Sequence, residues 1–265
     1  MRFRAGIHSD VGAFRDVNQD AAFTTPFAAA VADGVGGGPS GDLASAALVH
    51  RLITQRGPLR DAASLVERLR GANWDLGAHV RRDQTLTGMA TTLTGVWLTA
   101  DGELVVAHTG DSRGYLLRGG ELTRETRDDS FVQALVDQGL VAPEDAWRHP
   151  RRNIITASLR GDEDDVIHVE TRGVAAGDRW LLCSDGVTDY VPEADIAGLL
   201  RAVPDPVAAA RGIVDLALEA ASRDNVTAVV CDVVPSDAEI ASTPVVAGAA
   251  ASRYPEVLED GLATA

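Results

Sequence analysis

A chain of 265 residues with 45% hydrophobic composition can bury a complete core, and a single large domain is the preferred reading over two small ones. Its formal net charge of −15 opposes a polyanionic partner, because nucleic acid is bound through cationic stripes that neutralise phosphates. There is no cationic leader with an apolar core and no uninterrupted apolar stretch of about 18 residues, so neither secretion nor membrane spanning is expected and the cytoplasm is the expected location.

Strands are predicted around Phe3 to Ser9 and Phe27 to Ala32, followed by helices from Gly41 to Gln55 and from Leu59 to Arg82. The middle reads as a meander: Thr91 to Thr99, Glu103 to His108 and Tyr115 to Arg118 are short apolar or β-branched runs separated by Asp101-Gly102 and by the turn from Gly110 to Gly114. From Asp128 to Leu159 the pattern becomes helical and irregular. Phe131, Val132, Leu135 and Val136 share a helix face, and Pro143 and Pro150 interrupt it, which predicts a mobile insertion. Strands resume at Val166 to Thr171 and Arg179 to Ser184, helices follow at Glu193 to Arg201 and Pro206 to Ala221, and Asn225 to Val234 closes the sheet. Elements grouped in blocks predict layered α+β packing in place of a doubly wound parallel sheet. Pro235 to Ala265, rich in Ala, Ser and Pro without lasting periodicity, is expected to be a flexible tail after a domain of residues 1–234. Cys183 and Cys231 each lie in an apolar run and read as buried thiols.

Four aspartates share one local design. Asp33 in AAAVADG, Asp111 in VVAHTGD and Asp185 in WLLCSDG each end an apolar run, and Asp224 in SRDN precedes one. Carboxylates at strand ends let residues distant in sequence converge on a rigid sheet, and hard cations such as Mg2+ or Mn2+ take oxygen ligands in a near-octahedral array. Gly34, with no Cβ, can offer its carbonyl to a second cation at close range, so that Asp33 would bridge two. Against any one pair stands the plainer reading of an Asp-Gly turn, which is the one given to Asp101-Gly102.

Taken in order, HSDVGAFRDVNQDA, VADGVGGGPSGDLAS, GMATTL, AHTGDSRGYLLRGGELTRETRDDSFVQALVDQG, LLCSDGVTD and SRDNVTAVV resemble the metal-dependent Ser/Thr protein phosphatases of type 2C, bacterial branch. The resemblance implies a four-layer α-β-β-α sandwich with two central, mainly antiparallel sheets. A small flap at about 128–159 would border the cleft and tune which phosphopeptides enter. It also implies hydrolysis of phosphoserine and phosphothreonine in proteins by water activated by two or three Mn2+ or Mg2+ ions. Asp33, Asp185 and Asp224 would ligate the first cation, Asp33 and the Gly34 carbonyl the second, and Asp111 with Asp185 a weaker third. Asp20 would hold a water of the cluster from outside, and Arg15 would clamp the substrate phosphate through two parallel hydrogen bonds. Phosphoproteins, as products of a eukaryotic-like Ser/Thr kinase, are the expected partners of a monomeric chain. Two departures stand out: Gln19 replaces a family Glu, which would weaken the second cation, and Val35 stands where eukaryotic members carry His.

Rival classes are weighed on the same residues. Gly110 to Gly114 fits G-x-S-x-G and would make Ser112 a hydrolase nucleophile, but that motif needs a strand, a sharp turn and a helix, and a second strand is predicted after it. Gly36, Gly38 and Gly41, with Asp61 downstream, mimic a dinucleotide fingerprint, against which Pro39 and the antiparallel context speak. A catalytically weak phosphatase-fold regulatory module is the third alternative, prompted by Gln19 and Val35. His108 and His149 read as structural, and Asp162 to Asp165 as an exposed loop.

Overall fold

The structure is a computed structural model that describes residues 1–35, 40–55, 57–253 and 263–264. Its first half comprises β1 (Arg2–Asp10), β2 (Asp20–Thr24), β3 (Ala28–Val35), α1 (Gly41–Leu52), α2 (Ala62–Arg82), β4 (Ala90–Thr91), β5 (Leu93–Leu98), β6 (Leu104–Thr109), β7 (Arg113–Arg118) and β8 (Glu121–Arg124). The second half comprises α3 (Phe131–Asp137), β9 (His168–Arg172), β10 (Arg179–Cys183), α4 (Asp185–Thr188), α5 (Glu193–Ala202), α6 (Pro206–Glu219), β11 (Val226–Val234), β12 (Val245–Gly248), α7 (Ala249–Arg253) and β13 (Ala263–Thr264).

One sheet runs β1-β11-β10-β7-β8; the other runs β13-β12-β2-β3-β5-β6-β9, with β4 added beside β3. Every pairing is antiparallel except β12 with β13. The apolar runs of the central strands follow from burial on both faces. In β11, Val229, Cys231 and Val233 meet the opposite sheet, while Val226, Ala228 and Val230 meet α5 and α6. In β3, Ala29 and Val31 face the other sheet and Ala28, Ala30 and Ala32 face α1 and α2. Three apolar layers thus separate four layers of structure, the expected α-β-β-α sandwich. Cys183 and Cys231 are free and buried on opposite faces of one sheet.

Several elements depart from expectation. The second helix starts at Ala62, because Asp61 caps it by accepting from the Ser64 N–H at 2.7 Å, while Leu59 is drawn into a bridge with Thr99. Short strands β2 and β8 form where the sequence predicts none. The stretch expected as a tail instead supplies β12, paired antiparallel with β2, and α7, with Val246, Ala247, Ala249 and Ala250 buried. Its apolar run is too short to show a period, and its strand state comes from the partner it finds; residues 254–262 and 265 of that stretch lie outside the described residues. Asp165 is not an exposed loop residue: it accepts from the N–H groups of Arg160 (2.7 Å) and Asp162 (3.1 Å) and from Asn73, pinning its loop to α2.

Candidate active site

Each singled-out aspartate lies at a strand end. Asp33 is near the end of β3, and its register partner across the ladder is Asp20, the first residue of β2. Asp111 follows β6, Asp185 follows β10 as the first residue of α4, and Asp224 precedes β11. The two sheets therefore deliver five carboxylates to one place, close enough to disturb one another's ionisation. Burial, and then the charges of Asp20, Asp185, Asp111 and Asp224, hold Asp33 well above the usual carboxylate range. Asp185 is raised in the same sense by burial and by Asp111, Asp189, Asp224 and Asp20. Burial, with Asp128 and Asp189, pushes Asp111 up to about 7, and burial pushes Asp20 to about 6 against the pull of the Ser184 hydroxyl.

Crowded carboxylates are relieved by protons or by cations. Asp185 Oδ1 is buried and has no hydrogen-bond partner, so one oxygen at the centre of the cluster is left for a ligand. Among the described residues, no three acidic, imidazole or thiol groups form a closed ligand set. Two members of the cluster are turned to protein partners: Asp20 accepts from the Ser184 hydroxyl at 2.7 Å, and Asp224 accepts from Arg15 Nη2 at 2.7 Å. An all-oxygen donor set with an orphaned carboxylate oxygen fits hard divalent cations.

Two residues of the supporting shell, Asn225 and Thr92, are ones that the sequence did not single out. Asn225, 4% exposed, accepts from the Gln19 N–H at 2.8 Å and donates to the carbonyls of Val11 (2.9 Å) and Val17 (3.0 Å), fastening both ends of the loop that carries Arg15. Thr92 Oγ1 accepts from the Asp33 N–H at 2.9 Å and lies 2.7 Å from Ser112 Oγ, linking the Asp33 and Asp111 turns. A Cβ on Gly34 would stand 2.2 Å from the Gly41 carbonyl oxygen, so this approach of β3 to α1 requires glycine. The Gly34 N–H donates to the Gln19 carbonyl at 3.1 Å.

A cleft of about 920 Å³ opens from Asp111 and Asp185 and runs under the segment after Asp128. Val132, Val136, Trp147 and Val191 form an apolar wall. Two of its carboxylates are paired: Asp128 accepts from Arg113 (2.8 Å to Nη2) and from Arg124, and Asp189 accepts from Arg152 Nε at 2.9 Å. Neither Asp128 nor Asp189 ends an apolar run, so local spacing does not mark them.

The rival motifs do not build sites. Ser112 is fully buried in the turn where the chain passes from β6 in one sheet to β7 in the other, so the expected meander breaks at this point; it is bonded to Thr92 and followed by a strand, not a helix. Of the dinucleotide-like glycines, Gly36 and Gly38 lie outside the described residues and Gly41 opens α1. His108 is buried between Thr94 Oγ1 and the Arg127 carbonyl, and His149 lies against Phe131 with its Nδ1 accepting from the Arg151 N–H.

Comparison with known proteins points to one family. The family model "Protein phosphatase 2C" matches residues 14–220. The serine/threonine protein phosphatase PstP of Mycobacterium tuberculosis is 42% identical over 251 residues, covering 93% of this chain and 48% of that protein, so the chain spans about half the length of this curated relative. The crystal structure of the Mycobacterium tuberculosis serine/threonine phosphatase PstP/Ppp aligns with a TM-score of 0.83 at 39% identity, over 89% of this chain and 100% of that one. The catalytic domain of PstP in complex with 2 manganese ions aligns with a TM-score of 0.81 at 39% identity, over 88% and 99%. Among the described residues, no helix is long and apolar enough to cross a membrane.

Proposed function

The chain belongs to the protein phosphatase 2C family, and on that premise we propose that it is a metal-dependent phosphatase that hydrolyses phosphoserine and phosphothreonine in proteins. The observation that carries this reading is the convergence of Asp20, Asp33, Asp111, Asp185 and Asp224 around the unpartnered Asp185 Oδ1. Asp33, Asp185 and Asp224 would hold one cation, Asp33 and the Gly34 carbonyl a second, and Asp111 with Asp185 a third. Mn2+ or Mg2+, when bound, supplies Lewis acidity toward phosphoryl oxygens and acidifies water.

The residues themselves do the rest. Arg15, now bonded to Asp224, exchanges that carboxylate for the substrate phosphate, to which a guanidinium can donate two parallel hydrogen bonds. Asp20, held by Ser184, orients water by accepting a hydrogen bond from its O–H. A bond forms from water oxygen to phosphorus and the bond to the serine or threonine oxygen breaks, with that oxygen taking up a proton from water to leave as the alcohol; Ser112, buried and bonded to Thr92, takes no phosphoryl group. The apolar wall of the cleft borders the peptide on either side of the phosphoresidue, which gives the 128–159 flap its role in choosing substrates. On this reading the partners are phosphoproteins made by a eukaryotic-like Ser/Thr kinase, met by a monomer in the cytoplasm.

Hydrolysis of p-nitrophenyl phosphate and of a phosphothreonine peptide is expected with Mn2+ and is expected to stop in EDTA. Phosphopeptide binding without turnover in any divalent metal would leave a regulatory module instead. Arg15→Ala is expected to raise KM for the phosphopeptide by about 10-fold or more, since one charge-assisted hydrogen bond contributes about 1.5–3 kcal/mol; an unchanged KM and kcat would remove Arg15 from the phosphate site.

A further inference from the structure

We propose that Asp129 is a positioning residue that fixes Asp111 from behind and ties the base of the flap to it. The inference rests on the reading of Asp111 as a cation ligand. Asp111 follows Gly110, whose φ is +102°, and a Cβ at Gly110 would meet the Thr92 side chain at 2.5 Å. Gly110 adopts that conformation without strain, but it is buried, so its N–H and C=O both need partners. Asp129 satisfies both: its N–H donates to the Gly110 carbonyl at 2.7 Å, and its Oδ2 accepts from the Gly110 N–H at 3.1 Å.

The same residue reaches two further elements. Its Oδ1 lies 3.2 Å from His168 Nε2 on β9, and the His168 ring is stacked 6.4 Å from that of His108, whose own nitrogens are engaged by Thr94 and the Arg127 carbonyl. Its carbonyl accepts from the Thr156 N–H at 2.7 Å, next to the bridge between Ser130 and Ile155, so both ends of the flap depart from Asp129. At 8% exposure, it touches neither the cleft cations nor the substrate on the reading above. It acts through the Gly110 peptide, as groups one step outside a metal site orient its ligands. The sequence offered no cue, because Asp129 stands in a polar run with no strand before it.

Calorimetric titration of the metal-free protein with Mn2+, for wild type, Asp111→Ala, Asp129→Ala and Asp129→Asn, reads this directly. Asp111→Ala identifies the binding event that depends on Asp111. Asp129→Ala is expected to weaken that event by about 10-fold and to leave the others within about 2-fold, while Asp129→Asn, which keeps an oxygen to accept from the Gly110 N–H, restores most of the loss. Should Asp129→Ala not fold, His168→Gln provides the same readout with a smaller shift in the same direction. Unchanged Mn2+ affinities in a variant whose melting temperature has fallen would overturn the inference and leave Asp129 as a structural hydrogen-bonding group only. A wild-type titration with no event that depends on Asp111 would instead refute the cation reading of Asp111 itself, and the positioning role with it.

Discussion

In EDTA at neutral pH, Asp185→Asn melts above the wild type, while with Mn2+ it turns over phosphopeptide more than about 100-fold more slowly, because loss of outer-shell partners alone reduces metal affinity or activity by about 10–100-fold. The two effects have one origin. Burial and the charges of Asp111, Asp189, Asp224 and Asp20 raise Asp185 well above its ordinary range. A carboxyl whose pKa is higher folded than unfolded binds its proton more tightly in the native state, so the metal-free fold loses stability as pH rises from the unfolded value toward the folded one. An amide carries no charge to desolvate or repel, and that loss disappears. The same substitution removes the anionic oxygen that a cation requires. Thermal melts of both proteins, in EDTA and in Mn2+, together with steady-state kinetics, check it. A variant that melts lower than wild type in EDTA would mean that Asp185 supports the fold and not a ligand.

Arg179→Ala is expected to destabilise the protein by about 3–5 kcal/mol, the usual result of breaking a buried ion pair from one side. Arg179 opens β10 with its side chain 9% exposed, and its fork is bidentate to Asp232, with Nε to Oδ1 at 2.6 Å and Nη2 to Oδ2 at 2.9 Å. Nη1 also donates to the carbonyls of Leu200 (2.9 Å) and Val203 (2.5 Å), and Nη2 to that of Pro204, closing the C-terminal end of α5. Without the guanidinium, Asp232 keeps only Arg4, at 3.4 Å, and those carbonyls lose their donors. Urea denaturation measures the loss, and Arg179→Lys recovers only part of it, since an ammonium cannot reproduce the fork. A loss below about 1 kcal/mol, typical of a surface pair, would show that water or relaxation replaces the contacts.

Residues disclosed the core strands and the clustered aspartates for related reasons. Strands buried on both faces must be continuously apolar, and where such a run stops at Asp, the carboxylate marks the sheet's end; Thr91 to Thr99, Arg179 to Ser184 and Asn225 to Val234 are legible for this reason. β2 is not, because Asp20-Ala-Ala-Phe-Thr24 carries little intrinsic strand preference and becomes a strand through its neighbours β3 and β12. Arg15 could be named from its motif, but its contact with Asp224, 209 residues away, depends on a loop held by Asn225. Local spacing carries no trace of such long-range hydrogen bonds. Asp128, Asp129 and Asp189 are equally silent, since each draws its role from partners in other layers.

Gly248 packs so closely on β2 that a Cβ there would lie 2.1 Å from the Asp20 carbonyl oxygen, and the strand before it pairs from Val245 opposite Thr24 to Gly248 opposite Ala21. A polypeptide shortened to Val234 would bare this hydrogen-bonding face immediately beside a site carboxylate. Unsatisfied strands recruit foreign ones, so such a fragment would clump with itself before any defect in its chemistry could be seen.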